Sequence, residues 1–238
     1  MATYNLHYSS VTKKVIMALA GLFLITFLFV HLGINLLILY DPTRELFNVA
    51  AHFMATNPLI QIFQYVLFGG FILHIILGII LQIQNWMARP VRYYVEGWSQ
   101  TSFFSKFMIH TGIVILVFLV LHLINFFFKA KFGDLPAVPY ETGPAGVMVE
   151  FEDMGRLIVE KFTNITYVII YIISLLLLGF HLNHAFQSAF QSLGLEHTKY
   201  TPFIKGLGTF ISYVITVGFI LIPLVIYFNA SVFLSYIE

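Results

Sequence analysis

Nine histidines stand out in this chain of 238 residues, because little else in it could do chemistry. There is no cysteine, which removes disulfides, thiolate-held iron–sulfur clusters and covalently attached haem. A metal cofactor would have to be held by imidazole. His31, His74, His122, His181 and His184 fall inside strongly apolar stretches, and His110 sits at the start of one. His7, His52 and His197 lie outside them. A lone intramembrane histidine ordinarily makes an interhelical hydrogen bond worth about 1 kcal/mol. Polar side chains at that depth are costly, however, and a matched set of them marks function.

The elements that position these residues follow from composition. The chain is 59% hydrophobic and 10% charged, against roughly 45–50% and about 25% in an ordinary soluble domain. A soluble enzyme is excluded, because that much apolar surface could not be hidden from water. Charge-free stretches run over 15–40, 46–88, 107–128, 162–195 and 206–237, and a membrane helix needs about 20 mainly apolar residues. Asn57-Pro58 divides the long second stretch. The predicted spans are therefore 15–40, 59–85, 107–128, 164–190 and 206–232. No strand-like alternation points to a barrel, so the fold class is an all-α integral membrane protein, one membrane domain over 1–238 with five transmembrane helices. Residues 1–14 are polar and the first helix is too long for a signal peptide, so none is expected.

Lys13, Lys14, Arg89, Arg92, Lys106, Lys199 and Lys205 lie on one side of these spans, in short segments. Arg44, Lys129, Lys131, Arg156 and Lys161 lie on the other. The positive-inside rule then places the N-terminus in the cytoplasm. The longest connection, about 129–163, carries Val147, Phe151, Met154 and Ile158 at roughly helical spacing. It reads either as a short amphipathic helix on the outer surface or as an ordered loop. Asp41 to Thr56 reads as a similar short helix, started by Thr43 as N-cap.

Depth sorts the intramembrane histidines. His31 lies ten residues before Asp41, and His122 seven before Lys129. His74 lies 16 residues past Pro58, and His181 17 past Asn164. Counted from the outer surface, His31 and His122 form a shallow layer, with His74 and His181 roughly 10–15 Å deeper. Zinc wants three or four ligands at one centre, whereas a haem iron with two axial imidazoles needs one from each side of a flat ring. Two pairs in two layers suit two haems. Gly70 and Gly78 flank His74 at i−4 and i+4, and Gly179 precedes His181 by two. They read equally as room for a porphyrin or as ordinary close helix packing. The first and third helices also echo each other. Gly21-x9-His31 with Asn35 matches Gly112-x9-His122 with Asn125. Ten residues rise about 15 Å, the spacing of the layers, so each glycine is expected to face the inner haem.

On these marks, Gly21-x9-His31, His74, Thr111-Gly112-x9-His122 and His181-x12-Gly194, the sequence resembles the single-chain, five-helix, dihaem cytochrome b subunit of menaquinone-linked succinate dehydrogenases and quinol:fumarate reductases. The resemblance covers nearly the whole chain. It implies an outer haem b on His31 and His122 and an inner haem b on His74 and His181. It implies a flavoprotein subunit and an iron–sulfur subunit docked on the cytoplasmic side of the inner membrane, with quinone as the other electron partner and no nucleic acid. Arg89 and Arg92 are then docking or propionate-binding groups, or a solvated positive flank. His184 is the rival ligand to His181. The spacing to Gly194 favours His181 and leaves His184 to hydrogen-bond a propionate.

Two departures bear on direction and quinone binding. The glutamate that some fumarate reductases of the family place two residues before the fourth-helix ligand is here Gly179. That leans the expectation toward succinate oxidation with menaquinone reduction, a step the membrane potential assists by about 2.3 kcal/mol per charge per 100 mV. The family's acidic quinone-site residue before the second helix has no match, leaving His52 and Asn57 as candidates. No flavin or nucleotide motif is present, so succinate itself is not handled on this chain. The rival readings are a fumarate reductase subunit, a quinol cytochrome of the hydrogenase or formate dehydrogenase type, and a haem-free transporter or scaffold. The spacing of His181 and His184 argues against the second of these. The lack of intramembrane acids argues against a proton-relay transporter.

Overall fold

The structure, a computed structural model, describes residues 10–88, 107–142 and 147–237. His7, Arg89, Arg92 and Lys106 lie outside the described residues. In chain order the elements are α1 (Ser10–Tyr40), α2 (Glu45–Thr56), α3 (Pro58–Met87), α4 (Met108–Phe132), β1 (Ala137–Thr142), β2 (Val147–Glu152), α5 (Met154–Phe162), α6 (Ile165–Ser192), α7 (Thr201–Phe228) and α8 (Ala230–Leu234). Of these, α1, α3, α4, α6 and α7 are long and apolar enough to cross a membrane.

Local chemistry sets most boundaries. Asn57 caps α3, its side-chain oxygen accepting from the N–H groups of Leu59 (3.0 Å) and Ile60 (3.3 Å), with Pro58 in the first turn where no N–H is needed. Asn164 caps α6 in the same way through the N–H of Thr166. That helix stops at Gly194, whose φ of 74° suits glycine, with the N–H of Leu195 returning to the carbonyl of Phe190 at 3.0 Å. α1 starts at Ser10, earlier than the first span, because Lys13 and Lys14 can extend their long stems along the helix toward the interface. The fifth span ends at Phe228 rather than 232. Asn229 turns its amide back onto the Val225 carbonyl (2.9 Å) and closes the helix.

α6 is the central helix, packed on α1, α4 and α7. α1 packs in turn on α3 and α7, and α3 touches α4 lightly. Helices α1, α3, α4 and α6 thus form a four-membered ring, with α7 against its α1–α6 edge. In lipid the drive for such packing is close contact rather than water exclusion. Glycines supply it: Gly179 lies against Thr216 and Gly208 against the Phe186 ring.

The long connection differs from both expectations for its first half. β1 and β2 form an antiparallel hairpin, pairing Ala137 with Glu152 and Thr142 with Val147. Val147, Val149 and Phe151 alternate as a strand requires, and Phe151 is the residue of β2 that turns inward. The helix begins only at Met154, where the Asp153 carboxylate caps the N–H of Arg156 at 3.1 Å. The all-α expectation therefore gains one two-stranded element. Thr43 is likewise not the cap residue of α2. Arg44 holds that position at φ 72°, and the Asp41 carboxylate accepts from the N–H groups of Thr43 (3.0 Å) and Leu46 (3.3 Å).

These pieces make a cap over one end of the bundle. Arg44, 2% exposed, pairs with Asp153, with Nε to Oδ1 at 3.1 Å and Nη2 to Oδ2 at 2.8 Å. Nη2 also donates to the Tyr236 carbonyl at 2.9 Å. Asn48 donates to Asp153 and to the Tyr140 hydroxyl, both at 2.9 Å, and accepts from the Gly155 N–H at 2.8 Å. Gly155 is required here, since a Cβ would meet the Arg44 side chain at 3.0 Å. Burial alone would raise the Asp153 carboxyl. The hydrogen bonds from Arg44 and Asn48, with the charge of Arg44, outweigh burial and hold it below the usual carboxylate range.

Candidate functional site

The ring of α1, α3, α4 and α6 places its histidines on its two diagonals. His31 of α1 faces His122 of α4, ring centroids 5.8 Å apart and planes at 86°. His74 of α3 faces His181 of α6, centroids 6.3 Å apart and planes at 67°. Neither diagonal joins helices in close backbone contact. The imidazoles themselves bridge the interior.

The two pairs sit at different depths, and the glycines show it. A Cβ on Gly21 would stand 3.7 Å from the His74 ring, and one on Gly112 would stand 3.7 Å from the His181 ring. On both α1 and α4, ten residues, about 15 Å of helix, separate the glycine beside one pair from the histidine of the other. Gly70 and Gly78 do something else. Gly70 lies against the Phe23 ring and Gly78 against the Met17 methyl, which is close packing of α3 on α1.

The surroundings of each pair differ. His31 stacks on Phe27 (5.2 Å, 20°) and meets Phe219 of α7. His122 is bordered by Phe118, Phe126 and Tyr171. These rings keep water from the shallower pair. Beside the deeper pair, the Thr111 hydroxyl donates to the Met108 carbonyl at 2.9 Å and stands 3.3 Å from Nδ1 of His181. In the tautomer that carries its proton on Nδ1, His181 donates to Thr111, whose own proton goes to Met108, and Nε2 of His181 keeps a lone pair. Asn35, one turn beyond His31, places its amide nitrogen 2.8 Å from the His31 carbonyl and 3.4 Å from Nδ1. The Nδ1 atoms of His74 and His122 are buried with no hydrogen-bond partner among the described residues.

The remaining histidines stand apart. His184 is half-buried, three residues beyond His181 on the same helix. His52 lies edge-on to Phe151 under the hairpin at 5.1 Å, and His197 stacks on Tyr200 at the turn before α7. His110 lies beside Phe107. Among the described residues no three His, Asp or Glu side chains gather in one place. The site is one of facing pairs, able to hold a metal from two opposite sides.

No family model, curated protein or solved structure matches this chain. Its site is therefore defined by its own geometry.

The buried network of Arg44, Asn48, Tyr140 and Asp153 was not legible in the sequence. Arg44 and Asp153 are 109 residues apart, and each resembles an ordinary loop charge. The π-turn at Leu123–Phe127, directly after His122, was also missed.

Proposed function

We propose that this chain is the dihaem cytochrome b membrane subunit of a succinate dehydrogenase, carrying electrons between an iron–sulfur subunit and menaquinone. One observation carries the reading: four imidazoles from four helices meet as two facing pairs, at two depths, on the two diagonals of one bundle. Two metal–nitrogen bonds of about 2 Å and two ring radii of about 1.1 Å would separate such centroids by about 6 Å. The separations of 5.8 and 6.3 Å fit that requirement. The donor set fits as well, being imidazoles, with no third His, Asp or Glu gathered at either pair among the described residues and no cysteine in the chain.

His31 and His122 would hold the outer haem b, and His74 and His181 the inner one. Bound there, the haems supply a one-electron carrier at each depth. The chain's residues do the rest. Thr111 fixes the His181 ring and its tautomer. Gly21 and Gly112 keep side chains away from the inner pair. Phe27 and Phe219 border His31, and Phe118 and Phe126 border His122. The resemblance stated above supports the partners, a flavoprotein and an iron–sulfur subunit on the cytoplasmic side of the inner membrane, opposite the cap. Gly179 supports the direction. It lies against Thr216, so a glutamate at that position has no space without displacing α7. With no acid there, the reading favours succinate oxidation over fumarate reduction.

The test is a reduced-minus-oxidised visible spectrum of the complex purified with its partners, with haem counted per chain. Two haems b are expected. One would break the two-layer pairing, and none would return the chain to the haem-free transporter or scaffold class. For direction, collapse of the membrane potential by an uncoupler is expected to slow succinate oxidation in intact cells.

A further inference from the structure

Where α4 meets the cap there is an open cleft of about 700 Å³. Lys129 lines it from α4, Gly133 and Asp134 from the turn that follows, and Arg156 and Glu160 from α5. Two cations and two carboxylates thus share one space. Lys129 is the first charge after the apolar run of α4, so the cleft stands where the hydrocarbon layer gives way to headgroups. Phe128 and Phe132 of the same helix are 46% and 76% exposed, and their rings stack at 6.2 Å. The charges are not used up within the protein. Arg156 meets Glu160 through Nε alone, at 2.6 Å, which leaves its Nη donors for an anion. Lys129 Nζ and the Asp134 carboxylate make no ion pair among the described residues. The turn between them is bare backbone. A Cβ on Gly133 would stand 2.5 Å from the Lys129 carbonyl oxygen, so no side chain fits there. That turn also brings the C-terminal end of α4, which attracts cations, to the cleft.

We propose that this cleft seats the headgroup of phosphatidylethanolamine, a zwitterionic phospholipid with a primary ammonium. Lys129 and Arg156 hold the phosphate, and the Asp134 and Glu160 carboxylates accept from the lipid ammonium. The balance of charge decides the class. Two positive and two negative side chains complement a headgroup that carries one charge of each sign. The headgroup of phosphatidylglycerol is anionic and has no cation to offer the two carboxylates. That of phosphatidylcholine has its positive charge but no N–H to donate. Free phosphate lacks both the ammonium and the acyl chains that would cover Phe128 and Phe132. Lys161 is held elsewhere, over the Tyr167 ring at 4.4 Å. Seated there, the lipid ties α5 of the cap to the end of α4. The assignment needs the membrane spans alone and does not rest on the haem reading.

The experiment is native mass spectrometry of the full chain, released from nanodiscs made of equal parts phosphatidylethanolamine, phosphatidylcholine and phosphatidylglycerol. Retained phosphatidylethanolamine is expected to exceed each of the others about fivefold. Asp134→Asn combined with Glu160→Gln is expected to bring it down to the phosphatidylcholine level. Lys129→Ala combined with Arg156→Ala is expected to lower it by a similar factor. Lys131→Ala, on the same helix but outside the cleft, should leave it unchanged. None of these five side chains is buried, so the variants should fold, and the helical circular dichroism signal checks that they do. Equal retention of the three lipids would overturn the assignment. So would a preference for phosphatidylglycerol, a preference that survives loss of both carboxylates, or an equal loss in Lys131→Ala.

Discussion

The cap and the four-helix ring are held in opposite ways. In the cap, buried polar groups find partners, Arg44 Nη1 excepted: Asp153 accepts from Arg44, Asn48 and the Arg156 N–H, and Asn48 uses both ends of its amide. In the ring, α3 buries none of its residues against protein, and neither does α4 as far as His122. The groups facing inward there include four imidazoles, His31 and His122 bordered by aromatic rings, and two of the four have nitrogens with no partner among the described residues. Leucines at those positions would pack better and need no partner. On the haem reading proposed above, the comparison separates residues kept for stability from residues kept for chemistry.

That division can be broken at either end, and the largest effect lies in the ring. His122→Ala is expected to remove the outer haem and halve the haem absorbance per chain, while the inner haem keeps its spectrum. Loss of the inner haem alone would show that the diagonals carry the wrong partners. In the cap, Arg44→Ala leaves Asp153 buried and unpaired, at a cost of about 3–5 kcal/mol, read as a lower unfolding temperature. The same ion pair gives a pH dependence. Folded Asp153 titrates below its ordinary 3.8. Its contribution is therefore complete above about pH 5 and falls away as pH drops through 3.8 toward the lower folded value. Asp153→Asn should flatten that acid limb.

A smaller effect crosses the two layers. Gly112→Leu, on the helix that carries an outer ligand, should reduce occupancy of the inner haem several-fold and leave the outer haem in place. Equal loss of both would mean general misfolding and would remove the layered account. The smallest change expected is at Thr111→Val. Without an acceptor for Nδ1–H, His181 becomes a weaker electron donor. The inner haem potential should then rise by on the order of tens of millivolts at full haem content. A redox titration reads it directly.

Much of this architecture was legible in one dimension. A membrane span is a sum of per-residue transfer energies, so charge-free runs locate it without a fold. Asn57-Pro58 and Asn164 announce helix starts because a cap is a contact between near neighbours. The two histidine depths could be counted because a helix rises a fixed amount per residue. Over 147–152 the sequence misled, since Val147, Phe151, Met154 and Ile158 fit a helical spacing and gave a helix or a loop where the chain forms a strand. The hairpin wins because Phe151 can pack on Tyr140 and His52, neighbours the local pattern does not contain.

The sequence by itself determined the class of protein, its spans, and the residue types available to hold a cofactor. Tertiary structure decided that the depth-matched histidines meet across the two diagonals of one ring, that Gly70 packs on Phe23, and that Arg44 closes on Asp153. The reason is one of range. Hydropathy, capping and helical rise act over a few residues, whereas a diagonal across a bundle or a buried ion pair depends on the packing of every helix between.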